Sequence, residues 1–400
     1  MELRTGTSQQ AGMSPERVAH IVALAQGWVE QGVMPALVVL VARKGIIVIH
    51  EAFGRLGPEP DAPPLARDTI FPLASLTKPI TAAAAMILVE DGLLGLNRPV
   101  QWYIPEFVGE GKDAVMVHHL LTHTSGLADE GVDAHWEKTR GTVTIPPPDE
   151  TQHPSVHEWL FLGYGTPLSK PPGTEMSYCS FGYELLGEIV RRVCGMSLAR
   201  FYRERIFEPL GMADTHLLIP DAALRRAVRR PPDAPDADAL MRAQIPGTPW
   251  ACGGACSTAM DLAIWGQMFL NRGAYGQARI LCPASVAEMT RNQIPGISAR
   301  HDELVFPEAS WGYGWITRQG KSSLGYAETL QSSSAFSHGG AGGTFMWVDP
   351  AYDLVGICLS VESAGGIPAG VTLPARFGHS ELLGRADLLV NSATAAIEEL

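Results

Sequence analysis

FPLASLTKPITAAAAMILVEDG, residues 71–92, opens on a short β-prone run, turns at Ser75, and continues as an unbroken helical run that Gly92 ends. Ser75 and Lys78 therefore stand three residues apart at the opening of a helix, the spacing at which two side chains share one face. A serine hydroxyl is a weak nucleophile until a neighbouring group takes its proton. The Lys78 amine can reach Ser75, and the helix N-terminus favours negative charge developing there. Ala82 to Ala85 and Met86 make this an apolar helix. A lysine in such company is expected to have its charged form disfavoured, the condition a base requires. An S-x-x-K can also arise by accident, so the reading needs partners.

Tyr178-Cys179-Ser180 is the first, lying just before the helical run FGYELLGEIVRRVCG. Alone, Tyr178 reads as a core aromatic. Beside Ser75 and Lys78 it becomes a proton shuttle, base toward the serine and acid toward the leaving group. The second partner is His338-Gly339-Gly340-Ala341-Gly342-Gly343, between the strand-like runs SSSAFS and TFMWVDP. Glycines this dense within strands mark close approach of another group, which here is read as substrate. The alternative is a glycine-rich hairpin carrying a surface histidine. A phosphate loop fits poorly because no helix follows.

Working outward, Ser14-Pro15-Glu16 starts an amphipathic helix with apolar residues at Val18, Ile21, Val22, Leu24 and Ala25. ALVVLVAR and IIVIHEAFG form a hairpin around Lys44-Gly45. Residues 95–310 read as helices and long loops, with Pro-rich stretches (144–154, 166–175 and 219–238) that cannot be core elements. Strands return at WGYGWITR, SSSAFSHGG, TFMWVDP and DLVGICLSV, and a helix is expected near Glu381 to Glu399. The fold class is α+β: an antiparallel sheet from both ends of the chain, flanked by helices, with a mainly helical region inserted. The expected division is 1–94 plus 311–400 as the α/β part and 95–310 as the insert, with the site in the cleft between.

Composition narrows the partners. The 400 residues carry a formal charge of −12 with no block of one sign, so nucleic acid is not expected. The pairs Arg191/Arg192, Arg225/Arg226 and Arg229/Arg230 read as solvated charges. No secretory leader and no membrane-spanning run is visible, so the chain is expected to be cytoplasmic. The six cysteines, Cys179, Cys194, Cys252, Cys256, Cys282 and Cys358, lack the spacing of a disulfide framework or zinc site, and neither metal nor cofactor is expected. Oligomeric state is not legible.

Taken together, FPLASLTK, LLTHTSGL (120–127), PPGTEMSYCSFGYELLG (171–187), PLGMADTHL (209–217), GGACSTAMDLAIWGQMFLN (253–271) and HGG (338–340) resemble the family of class C β-lactamases, D-alanyl-D-alanine carboxypeptidases, D-aminopeptidases and family VIII carboxylesterases. The resemblance spans nearly the whole chain. It implies that Ser75 is acylated, that Lys78 and Tyr178 serve it, and that the backbone N–H groups of Ser75 and Ala341 form the oxyanion hole. His338, Gly339, Gly340 and Ser180 would line the substrate.

The sequence departs from the lactamase pattern twice, with Tyr178-Cys179-Ser180 for Y-x-N and His338-Gly339-Gly340 for K-T-G. The second exchange replaces a permanent ammonium by an imidazole, mostly neutral at pH 7. That favours small neutral esters, as in the family VIII carboxylesterases. The competing expectations are a β-lactamase or D-amino acid peptidase on the same serine and, against the complete Ser75, Lys78, Tyr178 set, a penicillin-binding-like sensor without turnover. No G-x-S-x-G occurs, which argues against an α/β-hydrolase elbow.

Overall fold

Every residue of Ala36–Arg43 is buried, which a strand achieves only when both its faces are covered. The computed structural model describes residues 1–230, 247–301, 304–318, 329–361 and 381–399, and it shows what covers them. Seven strands, β1 (Arg4–Thr5), β2 (Ala36–Arg43), β3 (Ile46–Gly54), β4 (Ile316–Thr317), β5 (Phe336–Gly340), β6 (Thr344–Asp349) and β7 (Leu354–Val361), lie in the order β1-β3-β2-β7-β6-β5-β4. The short β1 runs parallel to β3, and the other pairings are antiparallel. Lys44 and Gly45 join β2 to β3 with φ of 51° and 71°, the left-handed pair a two-residue hairpin turn requires.

The helices used below are α1 (Pro15–Glu30), α2 (Thr77–Glu90), α3 (Asp129–Thr139), α4 (Ser180–Cys194), α5 (Ala259–Leu270) and α6 (Glu381–Ala395). Because strand side chains alternate, Leu37, Val39 and Val41 join one core with Ile21, Ala25 and Trp28 of α1 and Leu389 and Ala393 of α6. Ala36, Val38 and Leu40 join the other, with Leu262 and Trp265 of α5 and Ile80 of α2. α5 lies so close to β7 that a Cβ on Gly266 would come within 2.7 Å of Val355 Cγ1. α1 begins at Pro15 with Ser14 accepting the Arg17 N–H, as its sequence foretells. No helix among the described residues is long and apolar enough to cross a membrane.

Three expectations change. The middle of the chain carries a small sheet, Met176–Ser177, Ala299–His301 and Leu304–Phe306, whose pieces are too short to show a period in sequence. The Pro-rich stretch 219–238 is not all loop. Asp221–Leu224 is helical, and the Val228 N–H bonds to the Ile70 carbonyl at 2.9 Å, while 231–238 lies outside the described residues. Arg191 and Arg192 are not solvated: Arg191 is 9% exposed and pairs with Glu188 and Asp149, and Arg192 pairs with Glu188 and Glu106. Arg226 and Arg229 are likewise engaged, with Asp214 and Glu59. Glu188 lies one turn back on the same helix, whereas Asp149, Glu106 and Glu59 arrive from elsewhere in the chain, which charge counting along one helix does not register.

Candidate active site

The turn that carries Ser75 is held from behind by a strap, residues 251–257. Phe71–Pro72 pairs with Cys256–Ser257, and the Leu73 N–H bonds to the Ala255 carbonyl at 2.8 Å. The Ala255 N–H donates to Thr77 Oγ1 at 3.0 Å, and Thr81 Oγ1 donates to the Ala251 carbonyl at 2.6 Å. Ala74, immediately before Ser75, is forced to φ 48°, a left-handed conformation that costs a non-glycine residue of the order of 1 kcal/mol. Ser75 follows half-buried at the entry to α2, and Lys78 stands one turn on, 1% exposed. Its ammonium donates to Ser75 Oγ at 2.9 Å and to the Cys252 carbonyl at 3.0 Å.

Lys78 is not depressed in pKa as its apolar helix suggests. Burial does act in that direction, and leaving an ammonium buried costs several kcal/mol unless it is partnered. Tyr178, Cys252 and the Asp129 carboxylate outweigh burial, so the amine is held above its ordinary value. The nitrogen also sits 4.7 Å from the centre of the Tyr178 ring. Lys78 is therefore a buried ammonium at neutral pH. The apolar residues beside it in sequence are not what it meets in space.

Tyr178 is gripped by a residue the sequence reading passed over. His123, in LLTHTSGL, has φ 56°; its carbonyl accepts the Ser177 N–H at 2.9 Å and its Nδ1 the Cys179 N–H at 3.0 Å. These two bonds bracket Tyr178 on either side, and the rings stack at 4.4 Å. Accepting at Nδ1 leaves the proton on Nε2. Burial, then Lys78 and His338, hold the imidazole well below its ordinary pKa, so it is neutral. Asp129 of α3 completes the grip, accepting the backbone N–H of Ser180 and of Phe181 at 2.7 and 3.1 Å and the Cys179 thiol at 3.2 Å. It caps α4 from outside, a carboxylate at a helix N-terminus. Ser180, expected against the substrate, is half-buried as the first residue of α4.

β5 forms the facing wall. His338 is not a surface residue: it is 2% exposed, packs edge-on to Trp311 at 5.7 Å, and its Nδ1 donates to the Gly339 carbonyl at 2.7 Å. Burial and the nearby Lys78 push its pKa down to about 3, so the imidazole is neutral across the working range. Nε2 of His338 and Nε2 of His123 are both buried without a hydrogen-bond partner among the described residues. Gly340 does face a close approach, though by the protein itself: a Cβ there would come within 2.1 Å of the Leu73 carbonyl oxygen. Thr344 Oγ1 donates to that same carbonyl at 2.8 Å, so β5 and β6 are docked onto the nucleophile turn. Ala341 follows, exposed in the turn, and Arg230 Nη2 donates to the Gly342 carbonyl at 3.2 Å. Read in sequence as a solvated charge, that guanidinium reaches this turn from a loop more than a hundred residues away.

Comparison with known proteins agrees with this geometry. The Beta-lactamase family profile matches residues 19–366. Penicillin-binding protein 4 of Amycolatopsis lactamdurans is 32% identical over 284 residues, 68% of this chain and 68% of that protein. Esterase EstB of Burkholderia gladioli is 30% identical over 361 residues, 85% of this chain and 89% of EstB. A crystal structure of a family VIII carboxylesterase superposes with a TM-score of 0.68 at 21% identity, over 96% of this chain and 99% of that one. The chain belongs to the β-lactamase family of serine hydrolases.

Proposed function

We propose that this protein is a carboxylesterase that hydrolyses small, short-acyl esters through an acyl-enzyme on Ser75. The observation that carries the reading is the neutral, buried His338 where a lactamase pattern has a lysine. A substrate carboxylate would gain from a fixed cation there, and a small ester has no need of one. EstB, an esterase at 30% identity, supports the same direction.

In this reading Tyr178 first gives its phenolic proton to solvent beside the Lys78 ammonium, and Ser75 Oγ then attacks the ester carbonyl carbon as its own proton passes to the Tyr178 oxygen. The carbonyl π electrons move onto oxygen, which the backbone N–H groups of Ser75 and Ala341 receive. Collapse breaks the bond to the alkoxide, which leaves with the proton from Tyr178. Water then repeats the sequence in reverse and releases the acid. The Lys78 ammonium, 2.9 Å from Ser75 Oγ, fixes the hydroxyl and stabilises negative charge on its neighbours. His338, Gly339 and Ser180 bound the substrate, while Gly340 lets their strand close on Leu73.

A second reading, a lactamase or D-amino acid peptidase, is favoured by one observation, the Arg230 guanidinium beside Gly342. The test is a panel of p-nitrophenyl esters graded by acyl length against a chromogenic cephalosporin. We expect kcat/KM to peak at short acyl chains and to exceed cephalosporin turnover by at least about a hundredfold, roughly 2.7 kcal/mol. His338→Lys should raise the cephalosporin-to-ester ratio about tenfold, the worth of one charge-assisted hydrogen bond. Equal or greater turnover of the cephalosporin in the parent would give the second reading precedence.

A further inference from the structure

Behind Lys78 stands an ionisable group that the reaction just drawn leaves idle. Glu184 of α4 is 1% exposed, and its Oε1 accepts the Cys252 N–H at 2.6 Å. The carbonyl of that same Cys252 receives the Lys78 ammonium. A single residue of the strap is thus held at its nitrogen by Glu184 and holds at its oxygen the lysine that contacts Ser75. We propose that Glu184 is a positioning residue for acylation of Ser75, fixing Cys252 so that its carbonyl keeps the Lys78 ammonium against the serine hydroxyl. This rests on the Ser75, Lys78 and Tyr178 reading above.

Two further observations sharpen it. Glu184 also lines an open cavity of about 280 Å³ with His153, Gly187, Leu198 and Pro249, which offers a route for its proton. Burial pushes its pKa up to about 7, with the Cys252 and Ala251 N–H groups and Lys78 pulling the other way. The titratable groups around it are Lys78 from α2, the Cys252 thiol from the strap and the Tyr202 phenol from Leu198–Tyr202, the last two held neutral by burial, with Glu188, Arg191, Glu150 and His153 on the cavity side. Arg191 is already paired with Glu188 and Asp149, which leaves Lys78 as the cation that responds to Glu184. A charged acceptor makes a stronger hydrogen bond than a neutral one. Ionisation of Glu184 therefore tightens the strap, and Ser75 becomes more reactive as pH rises through about 7.

The test follows the rate at which a fluorophosphonate labels Ser75, read by mass spectrometry from pH 5.5 to 8.5. This reports nucleophile activation whatever the ester preference. In the parent we expect a rise of about two- to fivefold centred near pH 7, the scale of one hydrogen bond gaining charge. Glu184→Gln keeps the acceptor oxygen and should lose the step, while Glu184→Asp should restore part of it. Circular dichroism and melting confirm that both variants are folded. A Gln variant that keeps the step, or a parent profile flat between pH 6 and 8, overturns the proposal and leaves the role of Ser75 standing. The parent profile decides even where the Gln variant does not fold. An unlabelled Ser75 would sink the proposed function and this inference with it.

Discussion

The two sides of Lys78 are built on opposite terms. On the substrate side, Ala74 and His123 hold left-handed backbone conformations, and the Nε2 atoms of His123 and His338 are buried without partners among the described residues. Each such feature costs of the order of 1–3 kcal/mol. On the rear side the polar groups are chained together: Tyr202 donates to Thr81 at 2.6 Å, Thr81 to the Ala251 carbonyl, and the Cys252 N–H to Glu184. The difference teaches where the fold concentrates its strain. A satisfied rear wall over-determines the nucleophile turn, so the front wall can keep polar atoms unsatisfied where a substrate would meet them.

Removing the nucleophile breaks the comparison most severely. Ser75→Ala deletes one hydroxyl that accepts a hydrogen bond from Lys78, and the strap that holds the turn does not use it. We expect ester hydrolysis to fall by at least about a thousandfold, some 4 kcal/mol of barrier, with the melting temperature within a few degrees of the parent. Residual turnover above about one per cent would take the role away from Ser75. Tyr178→Phe comes next. The ring stays stacked on His123, so binding and stability should hold, while kcat drops by about a hundredfold or more. An unchanged kcat would return Tyr178 to the core.

The same division separates what the sequence told from what it could not. That Ser75, Lys78, Tyr178 and His338 come together was legible, because each sits in a short recognisable pattern. The terminal strands were legible too, since ALVVLVAR and DLVGICLSV are too apolar to be anything but buried. The rear of the site was not. Glu184 and the Cys252 carbonyl reach it from separate elements, as Asp129 and Arg230 reach the front, and nothing local marks an acid in α4 as the partner of a backbone N–H in a strap 68 residues on. Lys78 was misjudged for this reason, and Gly340 was assigned to substrate when its crowding comes from Leu73. Residue type and spacing announce chemistry, whereas its electrostatic setting is assembled by tertiary contacts.

The smallest expected effect bears on whether the rear wall is wholly relaxed, and its sign can be worked out. Glu184 in the unfolded chain ionises near the ordinary carboxyl value of about 4.5, and in the folded protein only near 7. Between those values the folded state binds the extra proton, so this group's contribution to stability is fully present below about pH 4.5 and falls as pH rises. Above about 7 the whole cost is in force, up to about 3 kcal/mol for a shift of this size. Gln at this position has no such cost. The melting temperature of Glu184→Gln relative to the parent should therefore climb from pH 4.5 to 7 and level off above it, by a few degrees in a chain of this size. Thermal melts of both proteins at half-unit intervals read it directly. A difference constant with pH would mean that Glu184 is ionised throughout, and the rear wall would then be as relaxed as its hydrogen bonds suggest.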